Sequence, residues 1–131
     1  MKAARRFVVH NRTRGATLAD KVQLADTPRL RRIGLLRHQT LEPGEGLWIY
    51  PTRAIHTFGM RFPIDVAFLD RRLHVRRVYH SLVPFRCAWL VWGGRSVLEL
   101  ASGSLANTGT TVGDELQFSL QDELPASRGA Q

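Results

Sequence analysis

The sequence predicts a mainly β fold, α+β at the margin, built as a small β-sandwich or open barrel of short, mostly antiparallel strands. Three observations predict this class. Short apolar runs recur with turn residues between them, several runs alternate apolar and polar residues, and helical spacing occurs in one segment. The length of 131 residues suits one domain with its own core. We expect that domain over residues 1–120, followed by a flexible polar C-terminal tail over 121–131.

Two hairpins and several further strands are expected along the chain. NRTRG at 11–15 and DRR at 70–72 supply the turns of the hairpins. Residues 62–69 alternate at period two, which predicts a strand with one face in the core. Gly93–Gly94 indicates a hairpin or a sharp turn, and SGSLANTGTT at 102–111 indicates a loop or a weak helical turn. Strands are predicted at residues 6–10, 17–24, 47–50, 62–69, 73–80, 88–92, 96–100 and 115–120.

One amphipathic helix is predicted near residues 28–38. Thr27 serves as its N-cap, and a proline follows at the first helical position, where the missing N–H costs nothing. Gly34 lies inside this segment and weakens it by about 1 kcal/mol relative to alanine. Apolar residues recur at helical spacing along it: Leu30, Ile33 and Leu36.

The charge of the chain is strongly basic. Its 19 basic and 11 acidic residues give a net charge of +8, and all the basic residues except Lys2 and Lys21 are arginines. Arginine binds phosphate and carboxylate groups bidentately, so anion or nucleic-acid binding through the predicted helix is one hypothesis. A solvated helix face, or the coding bias of a GC-rich genome, explains the same residues. The arginines of this segment are Arg29, Arg31, Arg32 and Arg37.

The chain has no sign of membrane insertion or of an oxidising compartment. No apolar run approaches the roughly 20 residues that a membrane helix needs. The N-terminal apolar stretch is too short for a signal peptide, and the single cysteine, Cys87, excludes an internal disulfide. We therefore predict a cytoplasmic protein without a membrane partner.

The stretch from Thr52 to Asp70 is expected to hold the functional site, because a polar loop there leads into a rigid strand. The leading hypothesis is a non-catalytic β module that binds a small polar ligand or a protein partner. Its site would be formed by the 52–61 loop together with residues 84–86. The candidate ligand-binding residues are His56, Thr57, Met60, Arg61, Asp65, Arg86 and Glu99.

Two of these candidates are carboxylates that stand between apolar neighbours. A buried carboxylate needs a partner, and for Asp65 the candidates are Arg61 and Arg86. We favour a structural ion pair over a functional acid, and Glu99 poses the same question. The alternative is a hydrolase-like enzyme that uses His56 with a buried carboxylate for acid–base chemistry.

Neither a metal ion nor another cofactor is predicted. His56 and Met60 could supply ligands for a soft metal, completed by Cys87 or His80. However, no pair among them has the close spacing that is typical of metal sites. No serine or cysteine stands in a nucleophile-elbow pattern either, so no catalytic nucleophile is assigned.

Five segments in fixed order resemble a known family. They are IGLLR (33–37), GEGLWIYP (44–51), IHTFGMRFPIDVAFLD (55–70), VLELASG (97–103) and VGDELQF (112–118). Together they are similar to the small prokaryotic domain-of-unknown-function family numbered 192. The resemblance implies a compact, mainly β fold of sandwich type and no established activity. His38 stands where many members have arginine, and the leader that many members carry is not found here. The characteristic positions carry over as Gly34, Leu35, Gly46, Met60, Asp65, Pro84, Glu99, Gly103, Gly113 and Asp114.

Overall fold

The computed structural model describes residues 5–35, 38–52, 55–56, 60–84, 87–88 and 91–121, with only the backbone of 55–56 and 87–88. Strands and short helices account for most of these ranges. The strands are β1 (Arg6–Asn11), β2 (Ala16–Ala25), β3 (Glu45–Ile49), β4 (Ile55–His56), β5 (Ile64–Leu69), β6 (Val75–Leu82), β7 (Cys87–Ala88), β8 (Ser96–Ala101) and β9 (Leu116–Leu120). The helices are α1 (Pro28–Ile33) and α2 (Ser104–Thr108).

One curled sheet carries most of the fold. Its strands lie in the order β6-β5-β8-β3-β2-β1-β9, and every pair is antiparallel except β2–β3. The two edge regions meet at one end, where the Val75 N–H donates to the Asp114 carbonyl at 2.8 Å. The Leu116 N–H likewise donates to the Leu73 carbonyl at 2.9 Å. The result is a half-barrel, which confirms the mainly β class and agrees with the open-barrel form of the prediction.

The central strands β5 and β8 are buried on both faces, and the prediction of one core face for residues 62–69 is therefore wrong. Alternate side chains of β5 pack into two separate groups. One group, here called the barrel core, lies inside the curl of the sheet and includes Ala67, Leu98 and Leu116. The other, here called the outer core, contains Ile64, Val66, Phe68 and Val97 together with residues from segments outside the large sheet: Leu35, Leu41, Met60 and Val91.

Helix α1 is shorter than predicted. Thr27 is the N-cap as expected, and its side chain accepts a hydrogen bond from the Leu30 N–H. The helix ends at Ile33 because Gly34 adopts a positive φ of 51° at the C-cap, a conformation that favours glycine. The predicted apolar stripe is not buried: no residue of α1 is, and Leu30 is 43% exposed. Leu36 and Arg37 lie outside the described residues.

Several local predictions are settled by the strand pairing. The hairpins β1–β2 and β5–β6 are confirmed. At Gly93–Gly94 the chain makes a sharp turn, with the Gly94 N–H bonded to the Val91 carbonyl at 3.0 Å. It is not a hairpin, because β8 pairs with β3 and β5, while Cys87–Ala88 pairs with β4. The loop at 102–111 contains α2. Residues 122–131 of the predicted tail lie outside the described part.

A buried polar cluster ties β1 to the closed end of the half-barrel. The Asn11 side-chain amide donates to the Asp114 carboxylate at 3.0 Å, and the Arg14 Nε donates to the same oxygen at 3.0 Å. Burial is the largest single influence on the pKa of Asp114 and raises it. The bonds from Arg14, Asn11 and Thr111 together outweigh burial, and the pKa is lowered overall.

Asp114 is therefore expected to stabilise the fold at neutral pH. Its lowered pKa means that this stabilisation is present above about pH 4 and is lost as the pH falls further. Asp114→Asn should cost about 1–3 kcal/mol at pH 7 and should reduce the further loss on acidification. Urea unfolding at pH 7 and pH 3 measures both effects. The exposed Asp26→Asn is the control, and an equal response of the two variants would contradict the assignment.

Candidate functional site

The Asp65 carboxylate is held by backbone amides. Its Oδ1 accepts from the Ser81 N–H at 2.8 Å, and its Oδ2 accepts from the N–H groups of Gly103 and Leu105 at 3.1 and 2.9 Å. The side chain is fully buried, so these bonds replace the water that it loses. The predicted ion pair with Arg61 does not form, because Arg61 is exposed and the amides occupy both carboxylate oxygens. Asp65 thus joins β5 to β6 and to the start of α2.

The Glu99 carboxyl lies in a very different environment. On the sheet it stands between Leu47 of β3 and Val66 of β5, and along β8 its same-face neighbours are Val97 and Ala101. All four are outer-core residues, and Glu99 itself is 3% exposed. Within the described part of the chain, no hydrogen bond or ion pair of its carboxyl group is found.

Burial raises the pKa of Glu99 to about 8. The physical cause is desolvation, which disfavours the charged form of a carboxyl group among aliphatic side chains. Most Glu99 side chains are therefore protonated at neutral pH. A protonated carboxyl can donate one hydrogen bond and still accept others, and it ionises when a cation approaches.

The two buried carboxyl groups lie on opposite faces of the sheet. In the β5–β8 pairing, Asp65 stands opposite Leu100, a barrel-core residue, whereas Glu99 stands opposite Val66 in the outer core. Side chains that face each other across a pair share a face. The sheet therefore separates the two acids, so that at most one of them can be the buried carboxylate of the enzyme alternative.

The remaining candidates are scattered. Met60 is 6% exposed and packs in the outer core, as expected for a gap-filling methionine. The backbone of His56 belongs to β4 and pairs with Cys87 of β7. Thr57 and Arg86 lie outside the described residues.

The small sheet formed by β4 and β7 is connected to the outer core at both strands. Met60 follows the end of β4 by four residues, and Val91 follows the end of β7 by three. Three or four residues span at most about 15 Å, so the ends of β4 and β7 lie within that distance of outer-core residues. Among the predicted site residues, Met60 and Glu99 lie on the outer-core side of the large sheet, and the backbone of His56 ends a strand four residues before Met60.

His38 is a polar residue that sequence reasoning noted only as a departure from the family pattern. Its Nδ1 atom is buried and has no hydrogen-bond partner among the described residues. The flanking Leu35 and Leu41 both pack in the outer core. In the sequence, His38 stands between Leu35 and Leu41, just after Gly34, which ends α1. Leucines on both sides of a polar residue indicate a segment that folds back onto the core.

The described ranges contain neither a cluster of three possible metal ligands nor a membrane-spanning helix. No group of three histidine, cysteine, aspartate or glutamate residues there is placed to hold a metal ion. Neither α1 nor α2, nor any other helix of those ranges, has the length and apolar character needed to cross a bilayer.

Two solved structures share this fold. A protein of unknown function from Novosphingobium aromaticivorans DSM 12444 is 20% identical, with a TM-score of 0.74 over 86% of this chain and 83% of that one. A protein from Sinorhizobium meliloti 1021, described as a "putative transcription regulator", is 26% identical, with a TM-score of 0.72 over 88% of this chain and 94% of that one. A search of curated proteins finds no match.

The family model DUF192, described as "Uncharacterized ACR, COG1430", matches residues 9–118. The match runs from the middle of β1 to the middle of β9 and includes both buried carboxyl groups. It confirms the resemblance that the five sequence segments indicate. The chain therefore belongs to the DUF192 family.

Proposed function

We propose that this domain binds a small ligand at the outer core, beside Glu99. The ligand would have an apolar body and one polar group, an amine or a hydroxyl. The apolar body would contact the aliphatic side chains around Glu99, and the polar group would pair with its carboxyl. The domain is then a non-catalytic binding module, and its cytoplasmic location stays a prediction from the sequence.

The buried Glu99 carboxyl is the observation that supports this proposal. A carboxyl group among aliphatic side chains costs free energy that a leucine at the same position would not. Asp65 shows how this fold stabilises a buried carboxylate, because backbone N–H groups donate hydrogen bonds to both of its oxygens. Glu99 has no such partners among the described residues, and a carboxyl group that the described fold leaves without a polar neighbour supports a role in binding.

Acid–base catalysis by Glu99 is the second candidate. A pKa of about 8 lies near neutral pH, where a general acid or base works most efficiently. Binding comes first in either case, because a substrate must reach the same carboxyl group. We place the enzyme second because the same-face neighbours of Glu99 on the sheet are aliphatic, and none of them can act as a nucleophile.

Binding can be tested with simple probes. Short alkylamines and the corresponding alcohols are titrated into the wild-type protein by calorimetry at pH 7 and pH 8. We expect at least one probe to bind, and Glu99→Gln to weaken amine binding about tenfold or more, because the amide cannot ionise. Amine binding should also release protons at pH 7, when Glu99 ionises.

The control is Glu42→Gln, which removes an exposed carboxylate with the same change of atoms. It should leave the affinity of every probe unchanged. Equal binding by wild type and Glu99→Gln, or no binding of any probe in the series, would contradict the proposal. Mass spectrometry of small molecules released from the purified protein provides an independent check.

A further inference from the structure

We propose that an exposed patch at one end of the half-barrel binds single-stranded nucleic acid. The patch, here called the tryptophan–arginine surface, consists of Arg71, Arg72, Arg76, Arg77 and Trp92. It does not include Glu99, and the inference goes beyond the ligand site proposed above.

Trp92 is the most unusual residue of this surface. Its side chain is 88% exposed at the turn before β8, and the nearby Val112 is 56% exposed. A tryptophan normally buries most of its large apolar surface, so an indole in water indicates an interaction site. A nucleic-acid base can stack on a free indole face whatever its sequence.

The arginines lie beside the backbone of Trp92 and Gly93 or line the recesses that contain these two residues. Arg76 Nε donates a hydrogen bond to the Trp92 carbonyl at 3.3 Å. The Arg76 guanidinium also lies next to Gly93, 3.5 Å from the position that a Cβ atom of this residue would occupy. Arg77 follows on β6 and donates to the Tyr79 hydroxyl at 3.3 Å. Arg71 and Arg72 occupy the turn between β5 and β6, and all four arginines are exposed.

The charges of these arginines are available to a partner. No carboxylate of the described chain forms an ion pair with any of the four. Asp70 precedes Arg71 and sets one negative charge against these four positive charges, and its Oδ1 accepts from the N–H groups of Arg72 and His74, both at 2.9 Å. The surface is therefore strongly positive and complementary to a polyanion.

The shape of the surface favours a single strand. Two adjoining recesses of about 550 and 390 Å³ share Asp70, and Trp92 lines the first while Gly93 lines the second. Within the described ranges the helices have only six and five residues, which is short for entry into a major groove. An acidic peptide would use the arginines but need not stack on the indole. Phosphates and bases together account for both kinds of residue.

Fluorescence anisotropy tests the proposal with labelled oligo(dT) and oligo(rU) of about fifteen nucleotides, a length within common site sizes. We expect both to bind at low salt. Trp92→Ala should weaken binding about tenfold through the lost stacking. The double variant Arg76→Ala/Arg77→Ala should weaken it further and lower the magnitude of the salt slope by about 1.4.

The matched control is Arg29→Ala/Arg32→Ala, which removes the same charge from exposed positions of α1. It should change the affinity less than about twofold, the modest effect expected of distant charges. Heparin binding separates stacking from charge, because Trp92→Ala should leave it unchanged. Glu99→Gln should leave oligonucleotide binding unchanged, so this proposal and the ligand site can fail separately.

Three results would overturn the proposal. They are no binding of either oligonucleotide at low salt, unchanged affinity of Trp92→Ala, or an equal loss of affinity in the α1 control. Circular dichroism and thermal unfolding of each variant show whether it retains the wild-type fold. Because the substituted tryptophan and arginine side chains are exposed, we expect the variants at these positions to do so.

Discussion

Asp65→Ala is expected to lower the free energy of unfolding by about 3–5 kcal/mol, enough to unfold a large fraction of a marginally stable domain. The physical reason is that three backbone N–H groups lose their acceptor, and each unpaired buried donor costs about 1–3 kcal/mol. Ser81 is affected further, because its positive φ of 51° is held by one of these bonds. Urea unfolding at pH 7 measures the loss.

Hydrogen exchange locates the same effect. The amides of Ser81, Gly103 and Leu105 should exchange faster in Asp65→Ala than in the wild type, in excess of the global loss of stability. The exposed Asp20→Ala is the control and should change the free energy of unfolding by less than about 0.5 kcal/mol. A loss below about 1 kcal/mol for Asp65→Ala would show that the three amides find other partners.

Glu99 is expected to make the protein less stable as the pH rises from about 4.5 to about 8. The folded chain keeps the Glu99 proton up to about pH 8, while the unfolded chain releases it near pH 4.5. The unfolded state therefore binds fewer protons within this window, so the free energy of unfolding falls with pH. The slope approaches about 1.4 kcal/mol per pH unit from this group, and the whole effect is a few kcal/mol.

Glu99→Gln should remove this dependence. The amide has nearly the same shape but no proton to lose, so the variant should be more stable than the wild type at pH 8 by roughly 3 kcal/mol. Near pH 5 the two proteins should differ much less. Thermal and urea unfolding from pH 5 to pH 9 measure the profiles, with Glu42→Gln as the control. Parallel profiles for the wild type and Glu99→Gln would mean that the carboxylate finds a stabilising partner when it ionises.

Local signals in the sequence predict much of this fold. The turn residues of NRTRG and DRR and the apolar runs beside them identify the hairpins β1–β2 and β5–β6. Thr27 and the following proline mark the start of α1 correctly. These features depend on a few neighbouring residues, and a single sequence contains that information. The predicted end of α1 near residue 38 is wrong, because a glycine such as Gly34 can stand either inside a weak helix or at a C-cap.

Features that depend on distant segments could not be predicted. The second buried face of β5 exists because Leu35, Leu41, Met60 and Val91 pack over it. The continuous apolar run over residues 66–69 suits a strand buried on both faces, but it does not indicate which segments cover the second face. The pairing of β5 with β8 could not be predicted from the local pattern either, because β8 lies about thirty residues further along the chain.

The same limit explains the mixed result for the candidate site. Glu99 and Asp65 look alike in sequence, each a carboxyl residue between aliphatic neighbours. Their faces and partners follow from the register of β5 with β8, which puts Asp65 opposite Leu100 and Glu99 opposite Val66. A shift of this register by one residue would move a side chain to the other face of the sheet. The register therefore determines which acid contacts backbone amides and which lies among aliphatic side chains.

The pairing of β1 with β9 has a consequence for biosynthesis. Phe7 stands opposite Leu120, so a strand translated early gains its second neighbour only when residues more than one hundred positions later leave the ribosome. Until then, the nascent chain exposes the unpaired amide and carbonyl groups of β1 to other polypeptides. That hazard disappears when β9 has left the ribosome and pairs with β1.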